Sequence, residues 1–160
     1  MPNSLLLKAL ESCEVYNVTT FLQSGNFAFQ SNQPPAQLEL QIEEAVKGTA
    51  GITTSAFVRS KQDVANVLDS TLCKDFAPRN PSRTLIYFCK DLPHPEWNQN
   101  LPHEKLNGEV LARIDHCILA FYPISIADSK LTALTLERAV GSLVTGRNYS
   151  TLTKLIAMLG

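Results

Sequence analysis

Apolar residues spaced three or four positions apart predict amphipathic helices in five stretches of the chain. These stretches cover about 3 to 11, 35 to 48, 61 to 72, 129 to 140 and 150 to 159. Pro34 and Pro35 favour the start of the second helix, and Gly48 is expected to end it in a left-handed conformation. Ser129 is expected to begin the fourth helix and Gly141 to end it.

Runs of β-branched and aromatic residues predict strands, and two pairs of these strands are close enough to form hairpins. The strands are expected over residues 15 to 23, 27 to 29, 52 to 59, 83 to 90, 109 to 114 and 117 to 122. Ser24-Gly25-Asn26 joins the first hairpin and Asp115-His116 the second, because such residues tolerate turn conformations. Hairpins mixed with helices indicate an α+β fold with mostly antiparallel sheets.

A proline-rich stretch from Phe76 to Ser82 is the best internal boundary in the sequence. We therefore expect two α+β halves, residues 1–78 and 79–160, either separate or packed as a single domain. A chain of 160 residues is long enough for either arrangement.

Charge and composition narrow the classes of partner. The 14 Lys and Arg nearly balance the 15 Asp and Glu, so no global positive field attracts nucleic acid or an anionic membrane. No apolar run approaches the roughly 20 residues that a membrane-spanning helix needs. The first ten residues lack the basic segment and cleavage site of an export signal, and we expect a soluble, cytoplasmic protein.

The four cysteines, Cys13, Cys73, Cys89 and Cys117, form no close pairs. Such spacing is unlike a disulfide framework or a zinc ribbon, and we expect reduced thiols in the core. His116 next to Cys117 does not complete a metal site, because neighbours on a strand point to opposite faces. We expect no metal.

Two segments carry a resemblance to a known family. Thr20 to Phe29 reads TFLQSGNFAF, and Thr145 to Leu155 reads TGRNYSTLTKL. In this order they resemble signatures of the bacterial family of unknown function DUF1697. The resemblance implies a cytoplasmic α+β protein with two ferredoxin-like halves, and it implies no established activity.

The sequence departs from the family pattern at two places. Members begin with a strand and a Gly-rich loop, whereas this sequence starts at the helix that follows, and Tyr149 stands where the family has Trp. We therefore expect the first half to lack its first strand and its sheet to be incomplete. A neighbouring strand, a second chain or an upstream segment would compensate, so self-association through this sheet is one expectation.

Arg147, Asn148, Ser150 and Thr151 lie at the start of the last predicted helix. The free amides and dipole of a helix N-terminus attract phosphate or carboxylate, and an arginine can add a bidentate contact. These residues are the candidate site for an anionic small molecule. In the alternative interpretation, Asn148 or Ser150 only caps the helix and Arg147 pairs with a nearby carboxylate.

Ser24 and Asn26 at the first hairpin complete the candidate ligand-binding set. If the hairpin and the last helix converge on one polar cleft, both would contact the same ligand. The alternative is that these residues serve only the turn.

Other residues favour structural roles. Glu43 and Glu44 fall on the solvent side of the second predicted helix, and Trp97 more often fills a core edge than stacks on a base. The sequence contains no nucleophile elbow, phosphate-binding loop or dinucleotide fingerprint, so we expect no cofactor and cannot assign catalytic residues. A binding module ranks first, an interaction or structural domain is the alternative, and an enzyme is third.

Overall fold

The computed structural model describes residues 1–21 and 25–160. Apart from the last two residues, the chain divides into two compact units, residues 1–60 and 61–158. The described residues form an α+β protein with six α-helices and two antiparallel sheets. The boundary expected at residues 78 and 79 falls inside the second unit.

The first unit contains two helices and one hairpin. Its elements are α1 (Asn3–Leu10), β1 (Tyr16–Phe21), β2 (Asn26–Gln30) and α2 (Pro35–Ala50). β1 and β2 pair antiparallel with an irregularity between Tyr16 and Thr19. Among the described residues this sheet has only these two strands.

The end of α2 differs from the prediction. Gly48 lies inside the helix, which continues to Ala50. Gly51 then adopts a left-handed conformation at φ 67°, and its amide donates to the carbonyl of Lys47. The prediction at Gly48 was wrong because a second glycine, three residues later, supplies the positive φ that ends the helix.

The strand predicted over residues 52 to 59 does not form. The amide of Ala56 donates to Glu43 Oε1 at 2.9 Å, and that of Val58 donates to Glu39 Oε1 at 2.8 Å. Glu39 Oε1 also accepts from Arg59 Nη1 at 3.0 Å. Side-chain carboxylates of α2 therefore bind amides that a sheet partner would otherwise take, and Glu43 is not simply solvated as expected.

The second unit is built around a four-stranded antiparallel sheet. Its elements are α3 (Lys61–Leu68), α4 (Thr71–Phe76), β3 (Thr84–Cys89), β4 (Val110–Ile114), β5 (Cys117–Phe121), α5 (Ala133–Val140), β6 (Val144–Asn148) and α6 (Tyr149–Met158). Short 3-10 helices cover Ala77–Arg79, Pro81–Arg83 and His103–Lys105.

The strand order of this sheet is β4-β5-β3-β6, with every neighbouring pair antiparallel. This is the order of a ferredoxin-like half, with a connection that contains one 3-10 helix in place of the first crossover helix. The predicted hairpin around Asp115 and His116 is confirmed, and Asp115 has the positive φ, 50°, that a two-residue turn requires.

The start of α5 also differs from the prediction. The helix begins at Ala133, and the hydroxyl of Thr132 accepts from the amide of Thr135. Ser129 instead donates its hydroxyl to Glu109 and accepts from the amide of Leu131. Gly141 ends the helix at φ 70°, as predicted.

One face of the four-stranded sheet packs against α5 to form the main core of the second unit. Tyr87, Ile118, Tyr122 and Leu136 are buried there, and Trp97 packs against the cluster. The expectation that Trp97 fills a core edge is confirmed.

Candidate functional site

The candidate anion site lies where β6 leads into α6. Arg147 is half-buried, and its Nη1 donates to Thr145 Oγ1 at 2.7 Å and to the carbonyl of Gly146 at 2.9 Å. Burial lowers the pKa of the Arg147 guanidinium below its usual value. The lowered pKa reflects hydration that the cation has lost.

Asn148 organises the first turn of α6. Its Oδ1 accepts from the amide of Ser150 at 2.9 Å and from the hydroxyl of Ser150 at 2.7 Å. Asn148 therefore caps the helix, which is the role that the alternative interpretation of the sequence gave to Asn148 or Ser150. Thr151 follows in the same turn and is half-buried. Arg147, Asn148, Ser150 and Thr151 are thus near neighbours around one helix N-terminus.

Ser24 and Asn26 form the second part of the candidate set. Ser24 lies outside the described residues, whereas Asn26 opens β2 and pairs across the hairpin with Phe21. Asn26 belongs to the first unit and Arg147 to the second. The convergence of the hairpin and the last helix on one ligand stays a prediction.

Two concave pockets in the described structure are lined by residues other than Arg147, Asn148, Ser150 and Thr151. One, in the first unit, is lined by Cys13, Glu14, Val15, Tyr16, Asn32 and Gln33. The other, in the second unit, has a volume of about 60 Å³ and is lined by Asn107, Glu109, Pro123, Ile124, Ser125, Asp128 and Ser129.

The carboxylate of Glu109 in the second pocket is engaged at both oxygens. Oε1 accepts from Ser129 Oγ at 2.5 Å, and Oε2 accepts from the amide of Asn107 at 2.6 Å. Burial acts to raise the pKa of Glu109, but these hydrogen bonds, together with one from its own amide, lower it below its usual value. Glu109 is therefore a stable anion and a poor general acid or base at neutral pH.

Sequence reasoning missed a pair of buried tyrosines. Tyr122 donates its hydroxyl to the carbonyl of Leu131 at 3.0 Å, and the hydroxyls of Tyr87 and Tyr122 are 2.9 Å apart. Gly146 lies directly across from Tyr87 in the sheet, where a Cβ would come within 2.8 Å of Tyr87 Cε1. A glycine opposite an aromatic residue on a neighbouring strand is the signal that could have revealed this close packing.

The four cysteines are buried and form no disulfide, as predicted for core thiols. Burial, with a smaller effect from the charge of Asp69, raises the pKa of Cys73 to about 11. A thiol with so high a pKa is a weak nucleophile. Across the described ranges, no group of three His, Cys, Asp or Glu residues is arranged to hold a metal ion.

Within residues 1–21 and 25–160, no helix has both the length and the apolar character needed to cross a membrane.

Comparisons with known proteins place the chain in a family. No curated protein and no solved structure matches the chain. The family model described as "Protein of unknown function (DUF1697)" matches residues 1–119, so the second quoted segment, from Thr145 to Leu155, lies beyond the match. The match covers well over half of the sequence, and the chain belongs to the DUF1697 family.

Proposed function

We propose that the protein is a cytoplasmic binding module for an anionic small molecule or a phosphate-containing ligand. The observation that carries the proposal is the partly desolvated guanidinium of Arg147, held immediately before the N-terminus of α6. A cation that has already lost water, next to a positive helix end, costs less to bring into contact with an anion than a fully hydrated one.

Each residue of the candidate anion site has a distinct role in this proposal. Arg147 contributes the fixed positive charge, and its hydrogen bonds to Thr145 and Gly146 hold the guanidinium in place. Asn148 orients the first turn of α6 by binding Ser150. Thr151 offers a hydroxyl and an amide in that turn, as helix N-termini do for phosphate. Ser24 and Asn26 belong to the proposed ligand-binding set as well.

A cytoplasmic location belongs to the same proposal. Four buried cysteines that form no disulfide are typical of a reducing compartment, because secreted proteins of this size tend to use cysteines in disulfides. The family resemblance adds a bacterial source as an expectation.

Thermal denaturation with and without inorganic phosphate tests the proposal. A ligand at a hundred times its Kd stabilises a folded protein by about 2.7 kcal/mol, so saturating phosphate should raise Tm by several degrees. In Arg147→Gln, which keeps amide donors but removes the charge, the gain should vanish. Lys154→Ala removes an exposed charge further along α6 and should keep the gain.

The quantity to compare is the change in Tm that phosphate causes in each protein. A variant whose Tm is lower without phosphate can therefore still be compared with wild type. An equal gain in wild type and Arg147→Gln would show that phosphate acts elsewhere. If phosphate, sulfate and a nucleotide all fail to raise the Tm of the wild type, the protein is better explained as an interaction domain. That alternative is supported by an open sheet edge in the second unit.

A further inference from the structure

β4 is an edge strand of the four-stranded sheet. It pairs with β5 on one side, through all five residues from Val110 to Ile114. Among residues 1–21 and 25–160, no strand pairs with its other side. The outer backbone groups of an edge strand can form a second ladder of hydrogen bonds with another strand.

This edge lacks two of the features that usually prevent such pairing, a proline and a β-bulge, although Arg113 contributes one charge. β4 reads Val-Leu-Ala-Arg-Ile, with no proline and no lysine, and its register with β5 contains no bulge. Val110 is 58% exposed on the edge, and Ile124, which follows β5, is 74% exposed. Proteins that remain monomeric tend to protect an open edge with charges, prolines or bulges.

The charges that flank the strand favour one occupant. Glu109 directly precedes β4, and Arg113 lies within it. If the alternation of the strand is continued by one residue, the two side chains fall on the same face of the sheet. In an antiparallel pair of two identical strands centred on Leu111, each Glu109 lies opposite the partner's Arg113. The strand is therefore complementary in charge to itself.

We propose that β4 is a homodimer interface, in which two copies of the chain pair their β4 strands antiparallel about a two-fold axis at Leu111. The two four-stranded sheets then form one continuous eight-stranded sheet. Val110 lies beside the partner's Ala112, so its exposed side chain gains an apolar neighbour. A two-fold axis of this kind is the commonest symmetry of soluble oligomers.

The registers centred on Ala112 and on Arg113 are less favourable. Centring the pair on Ala112 places Glu109 opposite the partner's Asp115, and centring it on Arg113 places two arginines opposite each other. Like charges directly across a strand pair are destabilising, whereas opposite charges contribute favourably. Charge selects the Leu111 register from the three.

The hydrogen bonds around the two charged groups are compatible with this pairing. Arg113 donates from Nε to the carbonyl of Asp115 at 3.0 Å, an arrangement that leaves the Nη groups available for the partner's Glu109. Arg113 is exposed. Glu109 accepts hydrogen bonds from Ser129 and Asn107, which fix the position of its carboxylate without neutralising its charge.

Sedimentation velocity over a range of concentrations tests the proposal. The wild-type chain should associate to a dimer. Arg113→Glu and Glu109→Lys should each weaken the homodimer by about tenfold or more, because each variant converts two opposite-charge pairs into two like-charge pairs. Arg138→Glu makes the same change of charge on an exposed position of α5 and should leave the dimer unchanged.

Mixing the two variants gives the sharper result. The carboxylate introduced by Arg113→Glu on one chain faces the ammonium group introduced by Glu109→Lys on the other, and the unchanged Glu109 faces the unchanged Arg113. A heterodimer therefore regains both attractive pairs. Native mass spectrometry should show this heterodimer in excess over either homodimer. A purely statistical mixture, or a wild-type chain that stays monomeric at its highest soluble concentration, would overturn the proposal.

Hydrogen exchange in the wild-type protein tests the same interface without any substitution, so its result does not depend on how well a variant folds. In the wild-type protein, exchange at the β4 amides should speed up on dilution, while exchange at β6, the other edge of the same sheet, should not. Exchange at β4 that is independent of concentration while the protein is dimeric would place the interface elsewhere.

Discussion

A side chain at position 146 would occupy space that the ring of Tyr87 already fills. The ideal Cβ lies 2.8 Å from Cε1 and 3.1 Å from Cδ1 of that ring, both closer than real Cβ contacts usually are. The ring cannot move without disturbing its hydroxyl, which lies 2.9 Å from that of Tyr122 in the core. The fit of β6 against β3 therefore depends on the absence of a methyl group.

Gly146→Ala should destabilise the protein by about 1 to 3 kcal/mol, the usual cost of overpacking. Gly48→Ala is the matched control, because its Cβ would meet nothing within 4 Å and the residue lies inside α2. In a helix, that change should stabilise by about 0.5 to 1 kcal/mol. Urea denaturation measures both, and equal effects of the two substitutions would refute the close-contact explanation.

The buried tyrosines make stability depend on alkaline pH. Burial raises the pKa of Tyr87 and of Tyr122 above the usual value for tyrosine; the hydrogen bond between them opposes this in Tyr87 and adds to it in Tyr122. Above the unfolded pKa of about 10, the unfolded chain loses protons that the folded protein keeps. The stability that these tyrosines contribute is thus fully present below about pH 10 and falls as pH rises above it.

The decline should reach up to about 1.4 kcal/mol per pH unit for each tyrosine. Urea midpoints between about pH 9 and 11 measure it in wild type and in the double variant Tyr87→Phe, Tyr122→Phe. The double variant should lose stability less steeply over this interval. Identical slopes would mean that other groups, such as Cys73, account for the alkaline decline.

At the scale of the elements, α2 stabilises the chain that follows it. Glu39, only 7% exposed, binds the amide of Val58 and the guanidinium of Arg59, and Glu43 binds the amide of Ala56. Two carboxylates one helical turn apart thus hold alternate amides of an extended segment. The helix takes a role that an adjacent strand has in a complete sheet.

Glu39→Ala should cost about 3 kcal/mol or more, because it leaves the half-buried Arg59 without this carboxylate and the Val58 amide without this acceptor. Exchange of the Val58 amide should accelerate in the same variant. Glu44→Ala, at an exposed position on the same helix, should change neither quantity by more than about 0.5 kcal/mol. Slow exchange at Val58 in Glu39→Ala would show that the carboxylate is not what protects it.

Elements with strong local signals were predictable from the sequence. The second hairpin, β3 and α6 were each placed within one or two residues, since their apolar periodicity and turn residues agree with the tertiary structure. β6 was not predicted, because Gly146 and Asn148 disfavour strands and the segment becomes one only by pairing with β3. The strand expected over residues 52 to 59 was wrong for the opposite reason: its residue types favour a strand, but the segment is not part of either sheet of the described structure.

The candidate site was predictable only in part. The capping role of Asn148 follows from its residue type and position, and it is present. Glu39 was overlooked, although it lies three residues before Ile42 and seven before Val46, a spacing that places it on the buried face of α2. The Tyr87 and Tyr122 contact joins residues 35 positions apart, and no local pattern reveals such a pair.

At the scale of the whole molecule, the two units differ in how much structure supports each sheet. The strand β3 is central in a four-stranded sheet and almost wholly buried, whereas β1 is largely exposed and pairs with β2. An isolated two-stranded sheet is marginally stable. The first unit is therefore expected to open at a lower free energy than the second.

Native-state hydrogen exchange should show this difference directly. Amides of β1 and β2 should exchange about a hundredfold faster than those of β3 and β5, which corresponds to about 2.7 kcal/mol in opening free energy. Amides in α5, which packs on the four-stranded sheet, provide the internal reference for the second unit. Equal protection in both sheets would mean that the chain opens as one cooperative body.

The position of Trp97 makes the two units optically distinguishable. It is the only tryptophan of the chain, and it packs against the core of the second unit. Its emission on heating or in urea should report the second unit alone, while far-ultraviolet circular dichroism also senses α1 and α2. If the first unit melts earlier, the dichroism should begin to change before the emission does, and the gap between the two curves would measure the independence of the units.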